Sequence, residues 1–202
     1  MIDELDFPHA EELRKSYDAV GNEVAMDVDL SEENLLSSRQ LFVPDSLSRK
    51  KPIPKHLDVY ALISGVSFSE NFQLSLTNIQ AEIVDILDGK LAYFVQGSNL
   101  GVEYCVFKWP DDTWHSDKTQ TVHDILRNLT SSAFNLSISG IQLHRDGCII
   151  ARGYDQNKSV YKIRKHIQSK VEFLPIKQSS WCHVPLGRIL EPIGAHKMEE
   201  LK

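Results

Sequence analysis

The chain has 202 residues, 42% hydrophobic and 25% charged, an ordinary globular composition with enough length for one good-sized core or two small lobes. Its formal charge of -6 excludes a general affinity for DNA or an anionic membrane, which needs a basic face to release counterions, while a local basic cleft stays open. Three cysteines, Cys105, Cys148 and Cys182, stand far apart without a CxxC, so neither a disulfide framework nor a zinc knuckle is expected and the compartment reads as reducing and cytoplasmic. The first residues are acidic where a signal peptide is basic and then apolar, and no run approaches the roughly 20 apolar residues of a membrane span, so a soluble protein is expected.

Met1 to Glu33 holds eleven Asp or Glu against Arg14 and Lys15, a pattern of solvated helical faces. One helix is predicted over Pro8–Val20, with Pro at its start and Gly21 just past its end. A second is predicted over Ser31–Phe42, entered through Asp29 with Glu32 three residues on. Both are expected on the outside of the domain, packed through Leu13, Tyr17, Leu35, Leu36 and Phe42 and away from any cleft. The stretch SLSRKKPIPKH, Ser46–His56, carries two prolines and four basic residues and reads as a linker, with RNA binding as the alternative for its basic patch. The division is therefore an acidic helical extension with a basic, proline-containing linker over 1–54 and a main domain over 55–202.

From Leu57 the elements become regular. LDVYALISGV is a strand candidate, and the following ENFQLSLTNIQAEIVDILDG reads as a helix with Leu74, Ile79, Ile83, Ile86 and Leu87 on one side and Gly89 as its stop. Strands LAYFVQG and LGVEYCVFKW follow, then the helix KTQTVHDILRNL. FNLSISGIQL and CIIARGY are strands joined through the hairpin turn Arg145-Asp146-Gly147, followed by the helix SVYKIRKHIQSKV and a last strand, WCHVPLGRIL.

That last run places a histidine among apolar residues with a proline close behind, and proline costs a strand one ladder donor, so it is either an edge strand or a site. Alternation puts Trp181, His183, Pro185 and Gly187 on one face and Val184, Leu186 and Leu190 on the other. His183 then faces a groove, Gly187 leaves room for a ligand, and Arg188 falls with the apolar face unless the strand bulges.

The run FNLSISGIQLHRDGCIIARGYDQNKSVYKIRKHIQSKVEFLPIKQSSWCHVPLGRIL resembles the C-terminal half of the two-histidine phosphoesterase superfamily, which includes RNA 2′,3′-cyclic phosphodiesterases and 2′,5′-RNA ligase-like proteins. The resemblance implies a bilobal α+β fold of pseudo-twofold antiparallel sheets with flanking helices, the two motif strands side by side at the centre. It also implies one H-x-T or H-x-S motif from each lobe, no metal and no cofactor. Here the first motif reads Gly101-Val102-Glu103 and the second has Pro185 where the hydroxyl belongs, so neither copy is intact. His183 remains as acid/base, Glu103 is the candidate replacement for the missing histidine, and Arg188, Trp181, Tyr104 and Gly187 are the candidate substrate contacts. An ionised Glu103 about 4 Å from a phosphate oxygen repels it by roughly 4 kcal/mol at an effective dielectric of 20, so it excludes the anion unless protonated or paired. His115 in WHSD, with Ser116 beside it, is the weaker rival for the first motif, and His123, His144 and His166 form no HxxxH or HExxH, so no metal site is expected.

Two functions follow. One is a metal-independent enzyme that binds or hydrolyses cyclic or 2′-linked nucleotide phosphodiesters, RNA ends among them. The other is a catalytically inactive copy of that fold serving as a ligand-binding or protein-interaction module, with the acidic N-terminal region as the surface for a protein partner.

Overall fold

Six short apolar runs separated by 3.6-residue periodicities build an α+β fold with two antiparallel sheets flanked by helices, an N-terminal helix preceding the rest. The computed structural model describes residues 7–64 and 68–201, so the end of the first expected strand at Gly65 and Val66 lies outside the described residues. The chain runs α1 (Phe7–Ala25), α2 (Glu32–Arg39), α3 (Pro44–Ser48), β1 (Tyr60–Ile63), α4 (Glu70–Leu87), β2 (Ala92–Phe94) and β3 (Glu103–Lys108). It continues through α5 (Ser116–Arg127), β4 (Ser137–Leu143), β5 (Cys148–Tyr154), α6 (Ser159–Gln168), β6 (Val184–Ile189) and α7 (Ala195–Glu200).

The larger sheet has the order β2-β6-β5-β4 and the smaller is β1-β3. The two motif strands are therefore not side by side: β3 pairs with β1, and β6 lies between β2 and β5. Along β5, Ile149 and Ala151 face the main core with Leu76, Ile83 and Leu87 of α4, whereas Ile150 faces Leu13 and Tyr17 of α1. The sheet is thus covered on both sides. Gln80 sits in the buried stripe of α4 because its amide donates to the carbonyls of Val95 and Leu186, each at 2.9 Å. The buried stripe is Leu76, Gln80, Ile83 and Leu87, and Leu74, expected inside, is 59% exposed.

In β6, Gly187 opposes Ile149 and Pro185 opposes Ile150, which leaves Leu186 as the extra residue of a bulge. Leu186 and Ile189 consequently both enter the core, and Arg188 turns away from it.

The N-terminal third differs from expectation in three places. α1 continues through Gly21 to Ala25, and a Cβ at Gly21 would stand 2.9 Å from Arg152 Nη2, so the glycine here serves close helix-to-sheet approach rather than termination. α2 is capped by Ser31 rather than Asp29, in a reciprocal capping box with Asn34. Residues 46–56 are tied down rather than free: Val43 N–H donates to Ile53 C=O at 2.9 Å and Lys55 N–H to Leu41 C=O at 2.8 Å. Leu13, Tyr17, Leu35 and Phe42 are buried as expected, and Leu36 is 52% exposed.

Candidate functional site

Trp181 and His183 share a face, as alternation requires, but that face lies against helix α1. The Trp181 ring packs on Tyr17 with centroids 4.7 Å apart, and its Nε1–H donates to Ser16 Oγ at 2.8 Å. His183 and His144 each meet Trp181 at nearly a right angle, with centroids 6.0 and 5.5 Å away. Nδ1 of His183 is buried without a hydrogen-bond partner among the described residues. Burial first, then the neighbouring His144 and Arg164, hold the His183 pKa down to about 4, and burial likewise lowers His144. Both rings are neutral at pH 7, which suits a packed core and not an acid/base group poised near the working pH. The helices expected to stay clear of this strand thus form part of its surroundings.

Glu103 is half-buried at the start of β3. Its carboxyl pKa is raised by burial, opposed in part by Arg164, and its side chain makes no hydrogen bond or ion pair among the described residues. The backbones of Glu103 and Trp181 are linked through a third residue instead. Arg164, only 7% exposed, donates Nε–H to the carbonyl of Tyr104 at 2.8 Å and Nη2–H to the carbonyls of Glu103 and Trp181, each at 2.7 Å. One guanidinium fork therefore joins the lead-in of β3 to the lead-in of β6 through backbone oxygens. Gln178 completes the edge: it accepts from Val106 N–H at 3.0 Å and donates to Val106 C=O at 2.8 Å. Sequence reasoning missed Arg164, and its one signal is position, because it shares the buried stripe of α6 with Val160, Ile163 and Ile167.

The remaining candidates lie apart from these. Tyr104 faces a cavity of about 660 Å³ walled by Leu62, Val102, Phe134, Leu136 and Ile163. Burial raises its phenol pKa. Tyr104 and Trp181 pack in different apolar clusters. Arg188, freed from the core side by the bulge, pairs with Asp146 at 2.9 Å and donates to Ser38 Oγ at 2.6 Å. It is thereby engaged by the β4–β5 turn and α2 rather than by Glu103. At Gly187 a Cβ would stand 2.5 Å from the Tyr93 carbonyl, so the glycine admits strand β2 rather than a ligand.

Among the described residues no three His, Cys, Asp or Glu side chains gather as metal ligands, and no helix is long and apolar enough to cross a membrane. No protein-family model, curated protein or solved structure matches the chain. The resemblance to two-histidine phosphoesterases rests on the quoted residues alone.

Proposed function

We propose that this chain is a non-catalytic interaction module rather than a phosphodiesterase. The observation that supports this reading is the pairing of Arg164 with the carbonyls of Glu103, Tyr104 and Trp181. A two-carboxylate, two-histidine or His–Glu mechanism needs two titratable side chains converging on one reacting group. Here the groups nearest that role are a neutral, packed imidazole and a carboxyl on a different sheet, and the cation beside them already donates to three backbone oxygens. Arg188, the other cation suited to clamp a phosphate, is held by Asp146. A reducing, cytoplasmic setting suits the three cysteines, all of which are free thiols.

The test is turnover. Incubated with 2′,3′-cyclic nucleotides, with and without EDTA, the wild-type chain should release no more product than His183→Ala does. Hydrolysis that survives EDTA and falls by ~10²–10⁴-fold in His183→Ala would overturn the proposal in favour of the enzyme.

A further inference from the structure

On the acidic N-terminal surface, the partner face suggested by the sequence, part of the charge is engaged within the molecule: Asp18 pairs with Arg152 at 2.8 Å, Asp27 with Arg145 at 2.7 Å and Glu11 with Arg14 at 2.7 Å. The strap from residue 43 to 57 has the opposite character. Val43, Ile53 and Leu57 are 38%, 58% and 44% exposed on it, and Val43 and Ile53 are hydrogen-bonded neighbours. Between this strap and the large sheet runs a groove of about 270 Å³ walled by Phe42, Pro54, Leu57, Tyr93, Val95 and Pro185, with Lys55 at its rim.

Charge sets this strap apart again. In a chain of formal charge -6 it carries Arg49, Lys50, Lys51 and Lys55, all exposed. Lys50 Nζ lies 3.9 Å from Glu191, which accepts from the N–H of Leu91 just before β2. The side chains of Arg49, Lys51 and Lys55 have no acidic partner among the described residues. The basic turn therefore sits at the entry to β2 with most of its cations unneutralised.

β2 is itself an edge strand. Val95 N–H donates to Leu186 C=O, Leu190 N–H donates to Leu91 C=O, and Tyr93 opposes Arg188 between them. In an antiparallel ladder this alternation turns the N–H and C=O of Ala92 and Phe94 outward, where no described protein group takes them.

We propose that the strap groove and the open edge of β2 together dock an extended, acidic segment of a partner protein. One bulky apolar side chain of that segment enters the groove, its backbone pairs with Ala92 and Phe94, and its flanking carboxylates meet Lys51 and Lys55. The inference rests on the interaction-module reading above and adds the surface and the chemistry of the partner. Main-chain pairing gives such a site affinity, and the groove with its basic rim gives it selectivity. RNA fits the surface less well. The groove walls are mostly apolar, and the ring of Tyr93 is engaged by Phe42 at 5.2 Å and so does not offer a free face for a base to stack on.

The test uses the full chain and fluorescein-labelled, acetylated octapeptides of the form DDEXVEDD with X as Leu, Phe or Tyr, read by fluorescence anisotropy. Saturable binding is expected, at least about tenfold weaker after Lys51→Glu with Lys55→Glu, and weakened also by Leu57→Asp, all three positions being exposed. Methylating alternate peptide nitrogens should abolish binding if the segment adds as a strand. Equal binding by the charge-reversed peptide, no saturable binding of any acidic peptide, or tighter binding of octauridylate lost in the same Lys variant would each overturn the proposal. If no peptide binds and no cyclic nucleotide is hydrolysed, the docking site is wrong and the module reading stands. Hydrolysis that depends on His183 removes the module reading itself.

Discussion

β3 and β6 begin with similar sequence patterns, a polar lead-in followed by apolar residues, yet the protein completes their backbones by different means. β6 has a strand on each side and helices over both faces of its sheet. β3 has β1 on one side only, and on the other Arg164 and Gln178 supply the donors and acceptor that a third strand would supply. A strand edge closed by side chains is protected against pairing with other chains, as edge strands require. It is also unable to align with a second motif strand, because the groups that close it stand between the two. The contrast explains why two segments of kindred sequence do not build one shared cleft.

The comparison breaks most sharply at Arg164. Arg164→Ala leaves three carbonyl groups without their buried donor and should cost on the order of 4 kcal/mol in urea unfolding, with Arg164→Lys recovering less than half because an ammonium lacks the planar fork. A loss under about 1 kcal/mol would mean that β3 does not depend on this bridge.

The next effect belongs to the β6 side and reads out in pH. His183 has a folded pKa of about 4, below the ordinary 6.5, because burial disfavours its charged form. Between those values the unfolded chain binds more protons than the folded one, so stability rises with pH and is lost as pH falls from about 6.5 to about 4. This group contributes a loss of about 3 kcal/mol across that window, and His144, also lowered, acts in the same direction. Urea midpoints from pH 7 to 4 should show the fall, and His183→Phe should flatten it. A profile equally steep in the variant would place the sensitivity elsewhere.

The smallest of the three sharpens the β3 side. Gln178→Ala exposes the Val106 amide and carbonyl to loss of both partners and should cost about 2 kcal/mol. Hydrogen exchange at the Val106 amide should accelerate while that of β5 stays unchanged. If both segments accelerate alike, the edge is not an independent unit.

Local order was readable in the residues, and long-range contact was not. The helix over 70–87 announces itself by periodicity, and the hairpin turn by Arg145-Asp146-Gly147, whose glycine has φ +82. Elements set by distant neighbours escaped. Gly21 looks like a stop until Arg152 is seen beneath it, and Gln80 looks like solvent surface until two carbonyls are found waiting in the core. The bulge at Leu186, which decides where Arg188 points, follows from the pairing with β5, and Pro185 beside it is its one mark in β6. Of the site residues, the shared face of Trp181 and His183 was legible from the pleat. That α1 would lie on it was not, since the contact joins residues at the two ends of the chain.

That last contact has a consequence for how the protein is made. Ser16 and its partner Trp181 are 165 residues apart, Tyr17 and Gly153 are 136 apart, and Leu30 forms a bridge with Ile193. At roughly 5–20 residues per second, synthesis separates α1 from Trp181 by on the order of 10–30 s. Until β5 supplies Ile150, Leu13 and Tyr17 have no strand to pack on, and a nascent chain stalled before β5 presents them to solvent. α1 is thus secured only when β5 and the Trp181 segment, far along the chain from it, have been made.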